Sequence, residues 1–381
     1  MMTVETGTQV IHRPCSFPKT TSMILLIFMT IGLVVAIMRF IYGLGTISNL
    51  SDGRAWGLWI TFDLYCGVAL TAGGFTMAAT VYIFNMKKYY PIVRSAILTA
   101  FLGYIMVIFA LLVDLGQPWR IWHIIIYWNP YSPLFEVGWC VLLYTIILAL
   151  EFSPNIFERF KMQAPLRWIK TIQIPLVIIG VILSTMHQSS LGSMLLMMPD
   201  KINSLWFTPI LPFLFLLSAI AVGLAMVILE TSLGGKGLGH QVDLHILSGL
   251  GKGLIYLLGL YLLARLGDLL TAGKLGLIFS SGFYSALFLL ELVGGVILPL
   301  ILFALPNVRQ SRTGLFWSAL LVVLGLVLNR FNASLIALVS RPGTNYFPHW
   351  MEFAISISIV TAGILAYIMA TRYLPIIQHD K

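Results

Sequence analysis

The stretch STMHQSSLGS (184–193) follows the apolar run IPLVIIGVIL (174–183). A histidine among hydroxyls beside such a run admits three readings. It is a haem ligand, a station for protons or a quinone, or polar dressing at a helix end. Other ionisable side chains also sit inside apolar runs: Asp63, Asp114, Glu136, Glu151, Glu230, Arg265, Asp268, Glu291 and Arg330. A charge at membrane depth is costly and marks a pathway or a site. Histidine titrates near neutral pH and exchanges protons with carboxylates, phenols and oxygen acids. Glu136 and Glu291 need a partner or a proton. Asp63 and Asp114 suit either a site or helix-end pairs with Arg54 and Arg120. Glu151, just before FSPNIFERF, reads as a solvated interface residue.

Haem ligation by two transmembrane helices calls for axial ligands, most often a histidine pair. Of the seven histidines only His187 sits on or beside a span; the other six fall in tails or loops. A histidine–methionine pair stays open, given 16 methionines. Cys15, Cys66 and Cys140 are too scattered for an iron–sulfur or zinc site within the chain.

The elements that must position these residues are helices in a bilayer. The 381-residue chain is 59% hydrophobic and 10% charged, a balance no soluble fold tolerates. Its polar first twenty residues do not resemble a secretory signal, so the first apolar run is expected to be a retained span. Ten spans are expected, at 20–42, 56–84, 92–115, 132–152, 166–187, 208–231, 248–270, 281–304, 313–333 and 351–373. The net charge of +9 marks one side of the membrane rather than nucleic-acid binding. The larger share of Lys and Arg, among them Lys87, Lys88, Arg94, Arg159, Lys161, Arg167 and Lys170, falls on the N-terminal side. Both termini are therefore expected in the cytoplasm.

YSPLFEVG (131–138) is echoed by YSALFLLELVG (284–294), and VDLG (113–116) by RLGDLL (265–270). The offset of four spans predicts an all-α polytopic fold of two parallel four-helix bundles, spans 2–5 and 6–9, with spans 1 and 10 as flanks. The organisation follows. A cytoplasmic tail covers 1–19, and a single transmembrane domain covers 20–373. Within that domain lie a flanking helix (20–55), a first bundle (56–187), a second bundle (208–333) and a last flank (351–373). A short tail covers 374–381. Asp63, Asp114, Glu136 and His187 come from four consecutive spans at similar depth, where a four-helix bundle lets them converge.

RAWGLWITFDLYCGVALTAGGF (54–75), FLGYIMVIFALLVDLGQPWR (101–120), LFEVGWC (134–140), LALEFSPNIFERF (148–160) and TMHQSSLGSM (185–194) resemble the NrfD/polysulfide-reductase membrane subunits. The resemblance runs over about 20–373 and is greatest to the HybB branch, the membrane subunits of hydrogenase-2-type NiFe-hydrogenases. It implies a quinone (menaquinone or ubiquinone) as substrate, with no haem and no iron–sulfur cluster in this chain. It implies a ferredoxin-like iron–sulfur subunit on the outer face, fed by hydrogenase large and small subunits, and a place in the inner membrane with those partners on the periplasmic side. By motif it implies proton transfer through Tyr104, Glu136, His187 and Glu230. The expected quinone pocket is edged by Asp63, Asp114, Glu136 and His187, with Trp119 and Arg120 at its mouth. The outer loops 116–131 and 188–207 are the expected docking surface. The same subunit in a molybdopterin or multihaem complex, and an ion or solute transporter, are the competing readings.

Overall fold

The computed structural model describes residues 19–237, 242–280, 282–338 and 346–376. Among them are ten helices long and apolar enough to cross a membrane: α1 Thr20–Tyr42, α2 Trp59–Ile83, α3 Lys87–Asp114, α4 Pro133–Arg159, α5 Gln163–Leu196, α6 Leu211–Gly234, α7 Leu244–Thr271, α8 Phe283–Ala304, α9 Arg312–Ile336 and α10 Trp350–Tyr373. The fold is a polytopic helical membrane protein. Helices suffice here because they satisfy their own backbone groups, which hydrocarbon cannot do.

Helices α2, α3, α4 and α5 close a ring of neighbours, and α6, α7, α8 and α9 close a second. The rings meet where α6 packs on α2 and α5, and where α9 packs on α2. Glycine sets the closest of these approaches. A Cβ built on Gly223 of α6 would lie 2.6 Å from the backbone nitrogen of Gly73 in α2. Small residues let transmembrane backbones touch in this way. Gly295 of α8 and Gly325 of α9 repeat the device inside the second ring, at 2.2–2.5 Å.

Helix α1 packs chiefly on α10, and α10 lies along α3. The α3 C-terminus ends on Arg39 of α1, whose Nε donates to Val113 O at 2.6 Å and whose Nη2 donates to Leu115 O. A cation there satisfies orphan carbonyls and meets the negative end of the helix dipole. The α1–α2 connection is clasped to the start of α10. Tyr346 OH accepts from Leu58 N at 2.9 Å and donates to Glu352 Oε2 at 2.5 Å. The Arg54 guanidinium covers the Tyr346 ring at 5.2 Å, and burial lowers its pKa from the usual arginine value.

Three helices are locally widened into π-helical turns: α2 over Trp59–Cys66 and Ala79–Ile83, α8 over Leu290–Ile297, and α9 over Asn332–Ile336. Such widening re-aims side chains and recurs at functional positions. Asp63, Glu291 and Asn332 all lie in these turns.

The fifth helix departs from expectation. It runs to Leu196, not 187, so His187 lies inside a 34-residue helix, about two and a half turns from its end. Polar dressing at a helix end is thereby excluded. The expected docking loop 188–207 is correspondingly short, since its first nine residues are helical.

Candidate functional site

Along α4, Glu136, Cys140, Tyr144 and Glu151 recur at spacings that keep them within roughly one quadrant of the helix. This stripe faces α5 and α3. Helix α5 opposes it with Gly180, Ser184 and His187, again near-helical repeats, and α3 contributes Tyr104.

These side chains form one buried polar strand in an apolar bundle. Tyr104 OH and His187 Nδ1 are hydrogen-bonded at 3.0 Å. Both residues are fully enclosed by protein. Tyr104 stands edge-on to Tyr144, ring centroids 4.7 Å apart. The Ser184 hydroxyl lies beside both phenols. Below them Glu151 rests on Gly180, where a Cβ would come within 3.1 Å of Glu151 Oε1 and 3.4 Å of Tyr144 Cε2. Above them Cys140 lies electrostatically between Tyr104 and Glu136. Glu136 is half-buried in the first turn of α4.

Buried polar atoms normally have partners. Here His187 Nε2 and Gln188 Oε1, one residue apart on α5, have none among the described residues. Such a pair fits a polar guest, a buried water for one, that supplies the missing bonds. When Tyr104 O–H donates to Nδ1, the imidazole hydrogen resides on Nε2, which is then a donor. Phenol, imidazole and carboxyl in line can pass a proton by successive donation.

Other expected site residues lie elsewhere. Asp63 accepts from Ser356 Oγ of α10 at 2.6 Å. Asp114 is an electrostatic neighbour of Arg39 and Glu352. The expected convergence of Asp63, Asp114, Glu136 and His187 is therefore not seen. The first two turn toward α1 and α10; the last two belong to α4 and α5. The physical reason is that α10 packs along α3 and the widened turn of α2, covering the faces that carry the two aspartates. Trp119 and Arg120 are exposed on the α3–α4 connection. Glu230 accepts from Ser95 Oγ, from Thr99 Oγ1 at 2.7 Å and from Tyr367 OH at 2.7 Å. These partners belong to α3 and α10, and none links Glu230 to Tyr104.

Two acids gain detail in three dimensions. Glu151, expected as a solvated interface residue, is half-buried and lies against Gly180 at the inner end of the stripe. Glu291 is framed by Trp206 Nε1 at 2.9 Å, Asn329 Nδ2 at 2.6 Å and Asn332 Nδ2 at 2.9 Å, three N–H donors that hold it as a fixed acceptor. The signal for Glu151 was present in its spacing from Tyr144 and Glu136. The signal for Tyr144 was absent, since a tyrosine in an apolar run is ordinary. Among the described residues no group of three or more His, Cys, Asp or Glu could hold a metal ion.

Ten candidate spans among the described residues make this a polytopic membrane protein. The chain belongs to the family described as Polysulphide reductase, NrfD, which matches residues 46–338. It is 41% identical to a protein of Nitratidesulfovibrio vulgaris over 92% of both chains. It is 36% identical to the probable Ni/Fe-hydrogenase 2 b-type cytochrome subunit of Escherichia coli, over 92% of this chain and 91% of that one. It is 30% identical to the menaquinone reductase integral membrane subunit of Nitratidesulfovibrio vulgaris, over 96% and 94%.

Proposed function

We propose that this chain is the quinone-reactive subunit of a respiratory NiFe-hydrogenase complex in the inner membrane. The relatives named for a hydrogenase and for menaquinone support the assignment of partner and substrate. The observation that carries the chemistry is the buried Tyr104–His187 hydrogen bond, with His187 Nε2 unpartnered beside it.

In this reading a quinone takes two electrons from a ferredoxin-like iron–sulfur subunit docked on the outer face. That subunit is fed by the hydrogenase large and small subunits. Two protons taken up in the same step complete the quinol. Glu136 and His187 stand at the outer end, and Tyr104 supports the imidazole and refills it. Tyr144 and Ser184 carry the strand inward to Glu151, which faces the Lys/Arg-rich, cytoplasmic side. Glu230 is the second inner acid, held by Ser95, Thr99 and Tyr367. In this reading the polar strand works on protons, and the iron–sulfur subunit supplies the electrons. His187 is engaged by Tyr104 and faces no second histidine among the described residues, which favours proton work over haem ligation.

Mass spectrometry of what co-purifies with the chain from its native membrane tests this. A NiFe-hydrogenase pair with a ferredoxin-like subunit is the expected result. A molybdopterin or multihaem partner would replace the donor and keep the quinone site. The absence of any redox partner would return the transporter reading.

A further inference from the structure

At the Lys/Arg-rich end of the second ring, away from the polar strand, a cleft of about 410 Å³ opens between the start of α7 and the α8–α9 connection. Leu244, His245, Ser248, Lys252, Pro306, Arg309 and Gln310 line it. Its charge is one-sided. Among the described residues neither His245, Lys252 nor Arg309 is paired with a carboxylate. The nearest acid in sequence, Asp243, is turned to its own helix, accepting from His245 N at 3.0 Å. Arg309 is anchored by one arm: Nη1 donates to Phe303 O at 2.7 Å and Ala304 O at 3.3 Å, closing the C-terminus of α8. Lys252 is exposed and has no ion pair among the described residues.

The cleft continues into an apolar wall. On α7, Tyr256, Leu260 and Leu263 follow Lys252 at helical spacing and are exposed, Tyr256 at 79%. On α8 and just past its end, Leu298, Ile301 and Leu305 lead up to Arg309 and are exposed as well. The two helices pack together. Cations with hydrogen-bonding Ser248 and Gln310 thus sit directly above paired hydrocarbon-facing surfaces. That is the profile of a phospholipid, with an anionic headgroup over acyl chains. Basic clefts between spans on the positively charged side hold such headgroups.

We propose that this cleft is a binding site for an anionic phospholipid. Lys252 and Arg309 hold the phosphodiester, His245, Ser248 and Gln310 complete its hydrogen bonds, and the acyl chains lie along Tyr256, Leu260 and Ile301. A free phosphate satisfies the same cations but has no use for the apolar wall.

Native mass spectrometry of the assembled complex in mild detergent, wild type beside K252Q/R309Q, reads the site directly. Wild type is expected to retain phosphatidylglycerol or cardiolipin, and the variant about fivefold less for each cation removed. Equal retention overturns the proposal. In nanodiscs, a higher Tm in phosphatidylglycerol than in phosphatidylcholine, lost in the variant, supports it. An equal rise from inorganic phosphate in phosphatidylcholine discs overturns the lipid assignment. Because Arg309 also closes α8, K252Q alone serves if the double variant does not assemble, and unchanged lipid retention in it overturns the proposal.

Discussion

Tyr104 and His187, 83 residues apart in sequence, meet in a 3.0 Å hydrogen bond that no solvent reaches. The tyrosine occupies one imidazole nitrogen, and the other has no partner among the described residues. Tyr104→Phe removes only the hydroxyl that does this. The complex is expected to assemble normally and to reduce a soluble dye through its outer subunits at the wild-type rate. Quinone-linked turnover is expected to fall by about 10²-fold or more, the usual cost of a lost acid–base group. His187→Ala and Glu136→Gln are expected to act in the same direction. Wild-type turnover with native quinone in all three would remove this strand from the reaction.

Glu151 and Glu230 compete as the inner proton donor. Glu151 abuts Gly180 and Tyr144, on the strand, whereas Glu230 is bound to α3 and α10. Glu151→Gln is expected to slow quinone turnover by about 10²-fold. Glu230→Gln should keep most of the rate while lowering Tm, because three hydroxyl donors lose a carboxylate. The reverse pattern would move the inner donor to Glu230.

The aspartates offer a contrasting test. Asp63 accepts from Ser356 and faces α10. Asp63→Asn preserves an acceptor and should leave the KM for quinone unchanged, with a stability cost of about 1 kcal/mol. A raised KM would restore Asp63 to the pocket edge.

Stability rests on bare backbone contacts. At Gly223 a methyl group would meet Gly73 N at 2.6 Å and Ala72 C at 2.7 Å, atoms that cannot swing aside. Gly223→Ala is expected to destabilise by about 1–3 kcal/mol, an overpacking cost. Detergent-solubilised Tm measures it. Gly253→Ala serves as control, since its nearest atom is the Leu224 Cδ1 at 3.4 Å.

Hydropathy alone located all ten spans, because length and apolarity are what a bilayer demands of a helix. It misplaced the end of α5 because STMHQSSLGS looks like a terminus. The hydroxyls stay helical by turning back on their own chain: Ser190 Oγ donates to Met186 O at 2.7 Å and Ser193 Oγ to Ser189 O at 3.2 Å. A serine so occupied needs no water and no cap. The expected meeting of Asp63 and Asp114 with His187 failed for another reason. Sequence gives position along a span. Which way a side chain turns at that depth depends on neighbours, and α10 was taken as a bystander. Glu291 likewise carries no mark in sequence of its three N–H donors, which come from the α5–α6 connection and from α9.

From Glu151 to Glu136 the α4 stripe covers fifteen residues, about 22 Å of a hydrocarbon layer about 30 Å thick. A proton carried along it moves through roughly three-quarters of any voltage across the membrane. At about 2.3 kcal/mol per charge per 100 mV, that is about 1.7 kcal/mol of work for each 100 mV. Quinol formation at the outer end would then be electrically loaded. On the proposed reading it would slow as the membrane charges and quicken when an uncoupler collapses the voltage, and this row of side chains would act as a brake set by the cell's own energy state.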